Sequence, residues 1–415
     1  MIALLLVLFI AAQAMAQAVD PASLGRAGTH DLRQKSAGVL GWNPAALGPD
    51  RGFRMSFELP SMTGSAGNNA FSVSYWNKNV AGDRFLTEED KNEILGRIPG
   101  DKLRASGEIS VPVVGFTYNR FGARVSVESY QNASLPKELA ELALNGNELF
   151  RQYGIGKFDL ESQTVADVAM GFGYRFDQEQ IPDLHFGIGF HYYQGLYLAE
   201  IAEANGNLTV TDSLITGMSV VHSVQSNRGD GVGFDLSALA ALSERWEVGL
   251  ALRQIGARLA WNVDDNHLIT FYTDSAGVLP DSLTGDGSIE DEFHYRDTTY
   301  SGGTYDTRLP MIVQANGLFR ATPKWTLMGD VTIRTESSPR GPSGIQLSGA
   351  GEYMATRFLP LYGGLSLGGP MGWRFGLGAG LRTRTYELDI GWTWNGGLFN
   401  SAHGIGVGLA QRLKF

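Results

Sequence analysis

Residue types that could do chemistry are present but badly spaced for it. Seven histidines are scattered: His30, His185, His191, His222, His267, His294 and His403. His185 and His191 fall on one face of one strand, but six residues of strand span about 20 Å, too far to share a metal. No serine, threonine or carboxylate stands at a spacing that pairs a nucleophile with a base. The acidic stretch 281–297 contains Asp286-Gly287-Ser288-Ile289, which imitates the middle of a calcium loop. With Gly287 at loop position six, Ser282 takes position one, Thr284 position three and Phe293 position twelve. The first acid and the bidentate glutamate are therefore missing. Gly376-Leu377-Gly378-Ala379-Gly380 lacks the spacing and following helix of a nucleotide loop. Glycines on one strand face instead allow other groups to approach closely. No catalytic residue, metal site or cofactor is expected, and the chain reads as a non-enzyme.

Composition narrows the class further. The chain has 415 residues, no cysteine, 54 glycines and a formal charge of -10. The acidic balance argues against a nucleic-acid partner. Zero cysteine excludes disulfides and thiolate chemistry. Residues 2–12, IALLLVLFIAA, are too short to span a bilayer, and Ala14-Met15-Ala16 has the small-x-small pattern of a signal-peptidase site. Residues 1–16 are expected to be a cleavable signal peptide, although no basic residue follows Met1.

The elements that would carry any site are strands. Trp373, Phe375, Leu377, Ala379 and Leu381 alternate with Arg374, Gly376, Gly378, Gly380 and Arg382. Segments 168–176, 246–253 and 405–415 alternate the same way, which is strand periodicity. Tilted strands of about 9–11 residues cross a bilayer. Trp246, Trp261, Trp325, Trp373, Trp392 and Trp394 sit near strand ends, where membrane girdles lie. Backbone in lipid must pair internally, so such strands must close into a barrel. The chain ends on Phe415, with Leu413 on the same face, like the C-terminal assembly signal of outer-membrane barrels.

Sixteen segments have this character, among them 53–59, 70–77 and 207–223. Bacterial barrels join even-numbered strands by short periplasmic turns and longer outer loops. Read back from the C-terminus, Ser243–Arg245 and Thr322–Lys324 obey that rule. Further back, 78–108 and 131–163 fall on the wrong side, and the tight turn at Asn119-Arg120 falls outside. An element of the first half is therefore overcounted, and about 14 strands are expected within a range of 12–16. The expected fold is an all-β transmembrane antiparallel barrel over 51–415, with long loops at 78–108, 131–163 and 262–308. Thr87 with Glu88, Glu89 and Asp90 opens a helix towards Ile98. Leu135 to Tyr153 is a second helical candidate, weakened by Gly146.

Residues 17–50 precede the first strand. They contain Leu24-Gly25-Arg26-Ala27-Gly28 and Gly41-Trp42-Asn43-Pro44-Ala45-Ala46-Leu47. This start resembles that of FadL-type outer-membrane transporters of hydrophobic compounds. It is also similar to the PorV-type barrels that serve a protein-secretion system. Gly233-Phe234-Asp235-Leu236, Val248 to Leu252 and Ile255-Gly256 look like paired strands of the PorV-type group. Leu103 to Tyr130 and Leu135 to Leu139 resemble an uncharacterised set of barrels with the same Asn-Pro-Ala start. The FadL-type resemblance implies that 17–50 fold into the barrel as a plug, with Trp42, Asn43, Pro44 and Ala45 as its motif. The residues agree: Pro44 fixes a turn, and Asn43 before it favours extended or turn backbone. The alternative is an ordinary turn leading into the first strand. Pro112 cannot donate to a ladder and marks an edge or bulge. In FadL-type barrels such a kink opens a lateral exit, and the alternative is a strand that begins at Val113.

Two functions follow from the resemblance: passive passage of small hydrophobic compounds, or a scaffold that docks a secretion system or exported cargo. The implied partners are outer-membrane lipid, the barrel-assembly machinery and either a hydrophobic small molecule or a secretion-system protein. The implied location is the cell outer membrane.

Overall fold

The computed structural model describes residues 21–80, 85–146, 148–154, 156, 158–176, 183–212, 214–263, 265–272, 294–300, 302–336, 343–369 and 372–415. The expected signal peptide, residues 1–16, and the calcium-like segment 282–293 lie outside them.

The strands are β1 (Met55–Asn68), β2 (Lys102–Tyr118), β3 (Phe121–Pro136), β4 (Arg151–Tyr153), β5 (Asp159–Phe176), β6 (Leu184–Val210) and β7 (Ile215–Ser226). Then come β8 (Arg228–Ala241), β9 (Trp246–Asn262), β10 (Asp265–Tyr272), β11 (His294–Tyr300), β12 (Thr304–Arg308) and β13 (Ile312–Arg320). The chain finishes with β14 (Trp325–Arg334), β15 (Gly344–Met354), β16 (Pro360–Gly368), β17 (Trp373–Arg382), β18 (Tyr386–Asn395) and β19 (Gly404–Lys414). Fourteen of these form a closed antiparallel barrel, and β1 pairs with β19 to complete it. The remaining five, β4, β7 and β10 to β12, extend the wall on the side of the long loops. No helix among the described residues is long and apolar enough to cross a membrane.

Two of the sixteen expected segments are not wall strands. Residues 70–77 include a helical turn, Val73–Tyr75, capped by the Ser72 hydroxyl accepting from the Tyr75 N–H. Residues 207–223 are split between the end of β6 and β7, beyond the apolar band. Removing both restores the order of connections. The turn at Asn119, with φ 52°, falls at the same end as 242–245, 321–324 and 383–385. The described parts of 69–101, 137–158 and 263–311 fall at the other end, so Asn119-Arg120 lies with the short turns and not outside, contrary to the expectation from the sequence. The Thr87 helix runs Glu88–Arg97 with a capping box to Asp90. The second helix is only Lys137–Asn145, because Gly146 leaves the helix at φ 75°.

The alternating faces resolve into outside and lumen. Met170, Phe172, Tyr174 and Phe176 are exposed on the outer face, whereas Asp167, Ala169, Gly171 and Gly173 face inward and are buried. An outward apolar band with a polar interior is the arrangement a lipid bilayer requires of a barrel. Aromatic pairs mark both ends of that band. Trp246 stacks on Phe319 and Trp325 packs on Tyr353 near the short turns, while Trp394 contacts Phe375 and Phe399 near the loops. Trp261 is a correction: it lies in the lumen, fully buried, donating its indole N–H to Thr307 Oγ1 at 2.9 Å. Counting by twos from the outward Trp246 puts Trp261 on the opposite face. Two register shifts between β8 and β9 leave that parity intact.

The chain end helps to close the cylinder. Arg54 and Met55 donate their N–H groups to the Phe415 carbonyl at 2.9 and 3.0 Å, and Phe415 N–H returns to Met55 O at 2.8 Å. Deleting Phe415 removes these bonds. The amount of heat-modifiable, folded barrel recovered from outer membranes is expected to fall several-fold. Unchanged recovery would remove Phe415 from assembly.

Candidate functional site: plug, wall gap and lumen

Residues 21–50 lie inside the barrel, almost wholly buried. Their own sequence makes three tight turns, Pro21–Gly25, Ala37–Gly41 and Pro44–Leu47. The last is built by Asn43-Pro44-Ala45. Asn43 Oδ1 accepts from the Ala45 N–H at 3.1 Å, and Pro44 fills the first helical position, where a missing N–H costs nothing. The wall holds the same motif: Ala45 N–H also donates to Ser237 Oγ at 2.8 Å, and Asn43 Nδ2 donates to the Ala238 carbonyl at 3.4 Å. Trp42 is buried and packs on His30, with ring centroids 5.0 Å apart. The four motif residues therefore converge on one turn seated against β8.

This close seating needs wall positions without side chains. A Cβ at Gly187 would overlap the Ala45 backbone, and one at Gly173 would overlap Gly48. On the opposite wall, a Cβ at Gly376 would lie 2.7 Å from Ala27 N, and one at Gly391 2.6 Å from Gly25 N. The glycine run 376–380 is thus partly a plug berth.

Charges fasten the plug as well. Arg26 reaches Glu352 at 2.8 Å and lies over the Tyr362 ring at 4.5 Å. Arg33 joins Glu352 and Asp31 at 2.5 and 2.8 Å, and Arg51 joins Glu247 at 2.8 Å. His30 donates its backbone N–H to Asp330 Oδ2 at 2.9 Å. Apart from Arg33–Asp31, two residues apart, these partners could not be paired from sequence, because each plug-to-wall bond crosses 196 to 326 residues of chain. Replacing Asn43 by alanine is expected to cost about 1 kcal/mol of plug stability, the usual loss of an N-cap. Leak conductance in planar bilayers should rise accordingly, and more so with Pro44 also replaced. An unchanged conductance in both variants would sink the motif's role as a latch.

His185 and His191 both face the lumen on β6, as their spacing required. His185 Nε2 meets Asp183 at 3.0 Å. His191 is bridged, Nδ1 to Asp167 at 3.0 Å and Nε2 to Asp235 at 3.3 Å. Each ring nitrogen of His191 thus has a carboxylate oxygen within hydrogen-bond reach, which holds the ring between β5 and β8. Asp235 also accepts the N–H of Gln254, a residue at φ 57° in the irregular stretch of β9. Among the described residues no three histidines or carboxylates are arranged to hold a metal.

Pro112 lies within β2, which begins at Lys102 rather than Val113. It is buried on the lumen side, and the β2–β3 register shifts between Pro112 and Val114. On its other side the ladder lapses. β1 and β2 pair at Glu58–Gly115 and again at Thr63–Ser110, but not across Leu59–Met62 and Val111–Val114. Pro60 stands in the β1 half of this lapse, where the β1–β19 register also shifts. Two prolines that cannot donate thus face a stretch of wall lacking cross-strand pairs. Behind it lies a cavity of about 20 Å³, lined by Ser61, Ser110 and Pro112 from the wall and by Pro21, Gln34 and Gly38 from the plug. That is room for about one water. On the lipid side, towards the loops, a groove of about 350 Å³ runs over Gly64, Ala66 and Gly107 between Ile109, Ile405 and Val407. The sequence signal that could have found the lapse is Pro60, which falls just beyond the expected strand 53–59.

A fourteen-stranded barrel with an outward apolar band, aromatic girdles and an internal plug defines an outer-membrane β-barrel protein. The chain belongs to the family described as a family of unknown function, DUF5723, which it matches over residues 44–390. No curated protein matches it by sequence. Among solved structures it is similar to a FadL homologue of Pseudomonas aeruginosa, with 13% identity, TM-score 0.51, and 97% of this chain and 98% of that chain covered. It is also similar to the P. putida toluene transporter TodX, with 11% identity, TM-score 0.50 and coverage of 96% and 99%. A deltaS2 mutant of TodX, a monoaromatic hydrocarbon channel, aligns with 11% identity, TM-score 0.53 and the same coverage. These neighbours bear out the FadL-type resemblance at the level of fold, and TodX is named as a transporter and a channel rather than an enzyme.

Proposed function

We propose that this barrel passes small hydrophobic compounds across the outer membrane and releases them sideways through the lapse between β1 and β2. The observation that carries this reading is the unpaired stretch Leu59–Met62 against Val111–Val114, backed by the plug, with a lipid-side groove that begins beside it at Gly64 and Ile109 and runs towards the loops. A backbone ladder inside a bilayer is ordinarily complete, because each unsatisfied group there costs several kcal/mol. Two prolines reduce the number of donors left unsatisfied, so the lapse is cheaper to keep open here than anywhere else along these strands. A compound leaving by this path stays out of water, and its burial supplies the drive at about 25 cal/mol per Å² of apolar surface. The cavity behind the wall holds only about one water, so passage requires the plug segment around Gln34 and Gly38 to shift.

The neighbours named for toluene and monoaromatic hydrocarbons suggest the probe. Cells carrying the barrel should take up labelled toluene several-fold faster than cells lacking it, at matched outer-membrane integrity. Equal rates would overturn the passage reading.

A further inference from the structure

We propose that the lapse selects compounds bearing one uncharged hydroxyl, such as phenols and alcohols, over plain hydrocarbons. The hydroxyl would bind Ser110 in the cavity behind the wall, and the apolar part would lie in the lipid-side groove. This inference rests on the passage reading and narrows the compounds that reading admits.

The two sides of the lapse differ in chemistry. Ser110 faces the lumen and its neighbour Ile109 faces lipid, because successive strand residues point to opposite faces. On the lipid side the groove of about 350 Å³ has Ile109, Ile405 and Val407 as apolar walls, with Ser129 and Gln131 on one flank. That volume is at the lower end of small-molecule sites, which are mostly apolar with a few polar groups. On the lumen side the cavity of about 20 Å³ is bordered by Ser61, Ser110, Gln34, Glu58 and Arg124. It admits one group the size of a water molecule. A hydroxyl meets that limit, whereas a carboxylate or a phosphate exceeds it.

Most polar groups at the cavity are already engaged. Ser61 Oγ donates to the Leu59 carbonyl at 2.8 Å and accepts from the Gln411 N–H at 3.2 Å. Glu58 accepts the Gly38 N–H, and Gln34 Nε2 donates to Ser36 Oγ at 3.1 Å. Arg124 Nη2 donates to Ser126 Oγ at 3.3 Å and lies 3.6 Å from Glu128. Ser110 is different. It is only 3% exposed, and its hydroxyl makes no hydrogen bond among the described residues. A hydroxyl donates one hydrogen bond and accepts two, so Ser110 keeps its whole capacity for a compound in the lapse. A methyl group placed there displaces water without replacing its hydrogen bonds, which loses affinity. A hydroxyl replaces them. Glu58 and Arg124 border the cavity with opposite signs, and a buried ion without a net counter-charge is costly, so a neutral group is favoured.

Labelled phenol and toluene test this, because they match in shape and differ by a hydroxyl in place of a methyl. Phenol is uncharged in neutral medium, since a phenolic hydroxyl titrates at about 10. Barrel-dependent uptake is the rate in cells carrying the full chain above that in cells lacking it, per amount of folded, heat-modifiable barrel. Phenol should exceed toluene by about tenfold, the effect of one hydrogen bond kept or lost. Ser110→Ala removes a hydroxyl that no other residue needs, and it should bring the phenol-to-toluene ratio close to one. Equal rates for the two compounds, or an unchanged ratio in Ser110→Ala, would overturn the inference and leave the passage reading standing. A gain for benzylamine as large as that for phenol would assign the cavity to a cation and also overturn it. Absence of barrel-dependent uptake for both phenol and toluene would overturn the inference and the passage reading together.

Discussion

Oxidation of a Met62→Cys, Val111→Cys barrel is expected to abolish uptake of labelled toluene, and a reductant to restore it. The pairs on either side of the lapse, Glu58–Gly115 and Thr63–Ser110, keep one register. Met62 and Val111 are the first unpaired positions beyond Thr63–Ser110, and in that register they fall opposite each other across the lapse. Both side chains project to the lipid side. The natural chain has no cysteine, so the new pair has no competitor. Directly opposed positions on antiparallel strands lie about 4.5–5.5 Å apart, within disulfide reach. The bond would hold together the two strand segments that must part for lateral release. Both prolines stay in place, so the reduced protein keeps the native wall. Uptake that persists after complete oxidation would show that compounds do not leave between β1 and β2.

The second large effect is expected from Gly187→Leu. Any side chain here enters the volume of the Ala45 backbone. Overpacking of this kind costs about 1–3 kcal/mol, occasionally more. Here the cheapest relief is to lift the Asn43–Leu47 turn off β6 and β8 rather than to bend a closed barrel. That removes the Ser237–Ala45 hydrogen bond and uncovers Trp42. Single-channel recordings should show large, frequent openings rather than the small leak expected from Asn43→Ala, and the Trp42 emission should shift to the red. Gly344→Leu gives a contrast. That glycine has open space where a Cβ would go, although its φ of 149° adds strain. It should disturb conductance little. Similar recordings from both variants would mean that the plug is not seated by the glycine berth.

Much of this architecture was legible in the sequence because it is local. Period-two alternation assigns Met170 and Phe172 to lipid and Gly171 and Gly173 to the lumen without any tertiary information. The same count, applied consistently from Trp246, would have sent Trp261 inward. Proline and asparagine chemistry foretold the turn at Asn43-Pro44, and Thr87 with Asp90 foretold a helix start. Misreadings arose where local pattern was ambiguous. Residues 70–77 alternate like a strand, yet the Ser72 cap makes a helical turn of them. The segment 207–223 is extended, but it stands beyond the apolar band, where strand pairing need not belong to the wall.

The candidate site divides in the same way. Sequence by itself determined a cysteine-free barrel chain with small residues on one face of its strands, a turn motif ahead of the first strand, and a proline in β2. Only the tertiary structure decided what those features meet. Closure of β1 on β19 brings Pro21 near Pro112 and Gly187 under Ala45. It also sets Pro60 and Pro112 on facing strands, where their missing donors coincide in one lapse of the ladder. The physical reason is range. Alternation and capping act over a few residues, whereas counter-charges, close approaches and ladder pairing depend on groups hundreds of residues away.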